Sequence, residues 1–184
     1  MSETREPRVY LAGPDVFRAD AVAVGELKKA LCARFGFDGV FPMDTLPGAQ
    51  PRDEDDPRSI YNACVAHMDR CDALVADMTP FHGPSMDVGT AFEMCYVAAR
   101  GLPVFGYSEV LGAYYDRVSP GRVTTKNSQQ RDADGLLIEP FGLQDNLMVV
   151  IGCTDDTVHP SLEAALKALA AHLDDDRTRS RGRE

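Results

Sequence analysis

A doubly wound α/β domain, with a parallel sheet of about five strands and helices on both faces, is the fold class this sequence predicts. Short apolar runs alternate with amphipathic stretches along most of the chain. The runs are almost continuously apolar, as in VYLA, ALVA and PVFGY. Strands buried on both faces read this way, whereas one-sided strands alternate. The 184 residues suit one domain with a sizeable core.

Residues 9–12 form the first β-like run, which ends at Gly13-Pro14. Residues 21–35 carry Val22, Leu27, Ala30, Leu31 and Arg34 at helical spacing, and 39–42 make a second short strand. Residues 59–70 read as the second helix and 73–76 as a buried strand ending at Asp77. A third helix over 90–100 is closed by Gly101 in the C′ place. Residues 103–107 form a fourth strand, 136–138 a weaker fifth, and 161–173 a closing helix. Two polar connections, 43–58 with its DEDD cluster and 108–135 with Arg117, Arg122, Lys126 and Arg131, are long enough to act as lids or interfaces. The charge-rich tail from residue 174 is expected to fray.

Charge excludes several functions. Lys+Arg 19 against Asp+Glu 29 leaves a net −10, a field that repels phosphate backbones and anionic membrane surfaces. Neither nucleic acid nor a membrane is an expected partner. No run approaches the ~18 apolar residues of a spanning helix, and MSETREPR lacks the apolar core of a signal peptide. A cytoplasmic location is expected. The five cysteines are scattered without a CxxC pair, and the four histidines lack metal-ligand spacing. Neither a disulfide framework nor a metal site is expected. Cys64 and Cys71, seven apart, read as small core residues on one helix face.

In such sheets ligands bind beyond the carboxyl ends of the strands, where strand order reverses. The segments there are rich in acids: Asp15, Asp69, Asp72, Asp77, Asp87 and Glu93. Thr90 to Glu93 fits a capping box, in which the glutamate reaches back to its own helix amide. The functional alternative turns Glu93 into a pocket at the helix head. Asp87, six residues earlier, would diverge from Glu93 on one continuous helix, about 600° around. Both can face one pocket only if Asp87 precedes the helix, as an N-cap or loop acid. Asp69 and Asp72 close the second helix, where carboxylates are electrostatically unfavourable. GxSxG, GxxxxGK[ST] and GxGxxG are all absent, so elbow hydrolase, P-loop and dinucleotide readings lack their loops. Gly13-Pro14-Asp15 puts a negative charge where a flavin phosphate would sit.

At these segments the sequence resembles the nucleoside 2-deoxyribosyltransferases. The resemblance rests on YLAGPDVF after the first strand, the paired acids of DVGTAFE, the glycine-closed helix that follows, and DNLM at 145–148. It covers most of residues 8–150 and implies a flavodoxin-like subunit that moves 2-deoxyribose between nucleobases through a covalent glycosyl-enzyme. It implies Glu93 as nucleophile, Tyr10 as the residue orienting it, Asp87 on the sugar 5′-hydroxyl, and Asp69 as the acid at the base. Phe17 would line the base pocket, with Gly13, Asp15 and Asp77 near it. Asn146 would be donated by a neighbouring subunit, so the implied assembly is a homo-oligomer. Its implied substrates are a 2′-deoxynucleoside and a free purine or pyrimidine base, with a place in nucleotide salvage. Residues 147–151 read locally as a strand, whereas the resemblance implies a helix start after Asn146.

The chemistry suits these residue types and needs no cofactor. Breaking an N-glycosidic bond builds positive charge on the sugar, which a carboxylate beneath it stabilises. Attack by that carboxylate splits one hard displacement into two, as in retaining glycosidases. Two alternatives stay open: a nucleoside or nucleoside 5′-monophosphate N-hydrolase, and a non-catalytic nucleoside sensor.

Overall fold

The computed structural model describes residues 5–45, 53, 55–118, 124–126 and 129–181. In chain order the elements are β1 (Arg8–Ala12), α1 (Ala21–Arg34), β2 (Asp38–Val40), α2 (Pro57–Met68), β3 (Ala73–Asp77), α3 (Val88–Ala99), β4 (Val104–Tyr107), α4 (Tyr114–Val118), β5 (Thr124–Lys126), β6 (Gln129–Arg131), α5 (Leu147–Val150), β7 (Val158–His159) and α6 (Leu162–Arg181). A short 3-10 turn, Pro14–Phe17, follows β1.

The sheet is parallel, in the order β2-β1-β3-β4-β7, which is the flavodoxin-like arrangement. Strand order reverses between β1 and β3, so the carboxyl ends of these two strands define the ligand edge. Alternation along each strand sorts side chains between two cores. Val9, Leu11, Val75, Phe105 and Tyr107 pack with α1 and α6 on one face. Tyr10, Ala12, Leu74 and Ala76 pack with α2, α3 and α5 on the other.

Local chemistry sets the helix ends. The Asp56 side chain accepts from the Arg58 and Ser59 amides, and Pro57 starts α2 where a missing N–H costs nothing. Gly101, at φ +74°, ends α3 in the left-handed conformation that its lack of a Cβ permits.

The fifth strand is corrected, and two further segments are defined. The fifth strand is Val158–His159, paired with Gly106 and Tyr107, not residues 136–138. Those follow the β5–β6 hairpin, where Leu137 bridges Arg131, and two residues are too short an apolar run to read from sequence. Residues 147–150, which the sequence leaves open between a strand and a helix start, are helical, and Asn146 caps them by accepting from the Met148 amide. The charged tail continues α6 as far as Arg181, supported by pairs such as Arg177–Asp174 and by the Thr178 hydroxyl on the Asp174 carbonyl.

The long connections are partly legible. Residues 46–52 and 54 of the first, and 119–123 and 127–128 of the second, lie outside the described residues. What is described of the second contains α4 and the antiparallel β5–β6 pair. No described helix is long and apolar enough to cross a membrane.

Candidate active site

Tyr10 sits in the middle of β1 with no solvent exposure and points toward α3. Its phenol donates to Glu93 Oε1 at 2.7 Å. Glu93 is free to receive that bond because α3 starts earlier than the capping-box reading supposes. The N-cap is Asp87, in extended conformation, and its Oδ2 accepts from the Thr90 amide at 2.8 Å and the Thr90 hydroxyl at 2.9 Å. Glu93 therefore falls in the second turn, beyond reach of the helix-head amides. Asp87 precedes the helix, which is the condition under which the two acids can serve one site.

Burial pushes the Glu93 carboxyl up to about 7; the Tyr10 bond opposes the rise and the Asp87 charge adds to it. Burial, and then the negative Glu93, raise the Tyr10 phenol well above its ordinary value. Tyr10 thus stays protonated as a donor, and Glu93 ionises near neutrality. The linkage sign follows from a folded value above the unfolded one. Stability from protonated Glu93 is fully present below about pH 4.5 and is lost as pH rises through about 7. Glu93→Gln should therefore stabilise the protein at pH 8, by at most about 3 kcal/mol. Paired thermal melts at pH 8 and pH 4.5 check this: the gain should vanish at the lower pH.

The segment before Asp87 is clamped from the carboxyl-terminal half of the chain. Buried Asp145 accepts from the Ser85 hydroxyl and from the Met86 amide at 2.8 Å. Arg117 of α4 donates to the carbonyls of Pro84 and Gln144. Asn146 Nδ2 donates to Glu139 at 3.0 Å while its Oδ1 caps α5. The DNLM segment is thereby tied, within one chain, to the loop that carries Asp87.

The other expected residues are dispersed. Asp15 and Asp77 lie across the sheet from Tyr10. There Lys28 pairs with Asp15, stands 3.6 Å from Asp77 and donates to the Tyr107 hydroxyl, which donates to Asp77 at 3.0 Å. This network floors a cavity of about 430 Å³ on the α1–α6 side. Gly13 is required where β1 meets it, since a Cβ would stand 2.8 Å from the Asp77 Cβ. Phe17 is 66% exposed at the ligand edge and stacks on Phe81, which stacks on His82. Asp69 stands apart from the Tyr10–Glu93 pair. It caps the carboxyl end of α2, exposed, accepting from the Tyr96 hydroxyl at 2.7 Å and facing Arg100 at 3.5 Å. Its neighbours are a phenol and a guanidinium, and no described bond joins it to Glu93.

Sequence reasoning missed Arg117, Asp145 and Glu139 as organisers of the site. Only the DNLM match pointed at that region.

Known proteins bear on this geometry. A family model described as nucleoside 2-deoxyribosyltransferase matches residues 9–148. An uncharacterized protein of Schizosaccharomyces pombe is 32% identical over 190 aligned residues, covering 91% of this chain and 90% of the relative. The solved structure of a 2-deoxyribosyltransferase from Leishmania mexicana superposes with a TM-score of 0.67 at 30% identity, covering 90% of this chain and 98% of the other. A conserved protein from Enterococcus faecalis, at 22% identity and a TM-score of 0.53 over 88% of this chain and 95% of that one, shares the fold. The matched span runs from the strand that bears Tyr10, through α3 and Glu93, to the cap at Asn146. On that span the chain belongs to the nucleoside 2-deoxyribosyltransferase family.

Proposed function

We propose that this protein transfers 2-deoxyribose between nucleobases through a covalent glycosyl-enzyme on Glu93. The observation that carries the reading is the Tyr10–Glu93 bond: a largely buried carboxylate, held by a phenol, with its proton leaving near pH 7. In the first step a Glu93 carboxylate oxygen bonds to C1′ as the C1′–N bond breaks, and the departing base takes up a proton. In the second, a nitrogen of the incoming base attacks C1′, loses its proton and returns Glu93 to the carboxylate. Preorganised negative charge beneath C1′ stabilises the cationic transition state. The proposal does not rest on Asp69 as the acid.

Asp87 supplies the sugar end. Its Oδ2 is taken by Thr90, and Oδ1 receives no bond from the described residues, so it can accept from a 5′-hydroxyl. A 5′-phosphate there would meet a carboxylate at a cost of several kcal/mol. Deoxynucleosides should therefore surpass their 5′-monophosphates by about 100-fold or more in kcat/KM. Equal or better turnover of the monophosphates would remove this role from Asp87.

A second subunit completing the site is supported by an apolar surface beside it. Val88, Phe92 and Cys95 form one exposed stripe of α3, and Met148 of α5 and Ile151 just after it extend it. Arg117 anchors α4 to the loop before Asp87, which suits the 108–135 segment to excluding water from the intermediate.

The decisive assay incubates the protein with a 2′-deoxynucleoside, with and without a second free base. A new deoxynucleoside is the expected product. Free 2-deoxyribose in place of it would mean hydrolysis, and unchanged substrate that nonetheless binds would mean a sensor.

A further inference from the structure

The loop that leads into Asp87 is held from a distant part of the chain by one buried acid. Asp145, 59 positions beyond Met86, is 2% exposed. Its Oδ1 accepts from the Ser85 hydroxyl and, at 2.7 Å, from the Asn146 amide; its Oδ2 accepts from the Met86 amide at 2.8 Å. Three donors thus converge on two oxygens, an arrangement that suits an ionised carboxylate, which only accepts. Arg117 repeats the tie one residue earlier on both sides, donating to the carbonyls of Pro84 and Gln144. Within the loop the Phe81 amide donates to the Ser85 carbonyl at 3.0 Å. Asp87 is therefore anchored twice. Its upstream neighbour is fixed by Asp145, and its own Oδ2 is fixed by the Thr90 amide and hydroxyl.

We propose that Asp145 is a positioning residue for recognition of the sugar 5′-hydroxyl, holding Met86 so that Asp87 Oδ1 meets that hydroxyl. Capping by Thr90 does not set this direction alone. It fixes one oxygen, about which the carboxylate can swing whenever the preceding peptide shifts. Hydrogen bonds weaken steeply as their angle closes toward about 120°. A displacement of about 1 Å at a positioned group can cost about 10²-fold in rate. Alanine at 145 leaves the Ser85 hydroxyl and the Met86 amide without their acceptor. A buried donor in that state is costly, which favours a shift of the segment toward water. Asparagine at 145 keeps one accepting oxygen and so preserves part of the tie.

The inference rests on Asp87 accepting from the 5′-hydroxyl, and the experiment separates the two. Transfer is measured with a 2′-deoxynucleoside and with its 2′,5′-dideoxy analogue, and the ratio of kcat/KM reads the value of the hydroxyl. In the wild type that ratio should be about 10 or more, the worth of a bond to a charged acceptor. Asp145→Ala should bring it down toward one, mainly through KM for the hydroxyl substrate, with Asp145→Asn in between. The same ratio taken from Kd values by calorimetry, in a Glu93→Gln background, should move in step and needs no turnover. A loss shared equally by both substrates is what a merely structural acid would give, and it overturns the proposal. Should Asp145→Ala fail to fold, Ser85→Ala decides: a lowered ratio supports the tie, and an unchanged one overturns it. A wild type that selects the hydroxyl while the variants keep its ratio removes Asp145 alone. A wild type indifferent to the hydroxyl removes the role of Asp87, and this proposal with it.

Discussion

Replacing Glu93 with alanine is expected to lower kcat for deoxyribosyl transfer by at least about 10³-fold, with KM changed far less. The side chain is proposed to form the bond to C1′, so its loss removes the two-step route rather than weakening binding. Glu93→Gln sharpens the test. The amide keeps the shape and can accept from Tyr10 through its oxygen, yet cannot deliver a carboxylate oxygen to carbon. Both variants should therefore be comparably inactive, and glutamine should remain well folded. In the wild type, the rate should fall about tenfold per unit as pH drops below about 7, where Glu93 takes up its proton. Steady-state kinetics with a deoxynucleoside and a second base check these outcomes. Glutamine retaining more than a tenth of the wild-type kcat would remove the covalent step.

The largest stability effect is expected at Lys28. Its ammonium is 14% exposed and pairs with Asp15 and, at 3.6 Å, with Asp77, which are 14% and 12% exposed. Lys28→Met leaves the largely buried Asp15 and Asp77 carboxylates beside each other, with only the Tyr107 hydroxyl and the Thr79 amide donating to Asp77. Removing one partner of a buried charge cluster costs about 3–5 kcal/mol, because the charges left behind stay desolvated. For a chain of this length that lowers Tm by roughly 10 °C. Thermal melts check it, and adding Asp15→Asn to Lys28→Met should recover part of the loss, since the two sites share one network. An unchanged Tm in Lys28→Met would mean that the cluster is solvated. The same pairing pins the Pro14–Phe17 turn through Asp15, so Phe17 and the aromatic stack at the ligand edge depend on it.

Much of the molecule is readable from composition and periodicity. The strands β1, β3 and β4 are apolar because helices cover both faces, and that burial is written into their residues. Gly101 and Pro57 mark helix ends through backbone properties that travel with the residue. Tyr10 and Glu93 were identifiable as a pair only through resemblance, for they stand 83 positions apart. β7 and α5 were not decided by the sequence, because two residues carry no period and because an asparagine cap competes with an apolar run.

Sequence by itself determined the layered α/β architecture, the acidic character and the supply of carboxylates at strand ends. These follow from side-chain hydrophobicity and charge, which need no partner to be read. Tertiary structure alone decided which acids share a field. Pairing in the sheet turns Tyr10 toward Glu93 and Asp77 toward Lys28 on the opposite face. It also leaves Asp69 outside with Tyr96. Burial and distance, not residue type, set what a carboxylate does, and both arise only when the chain is packed.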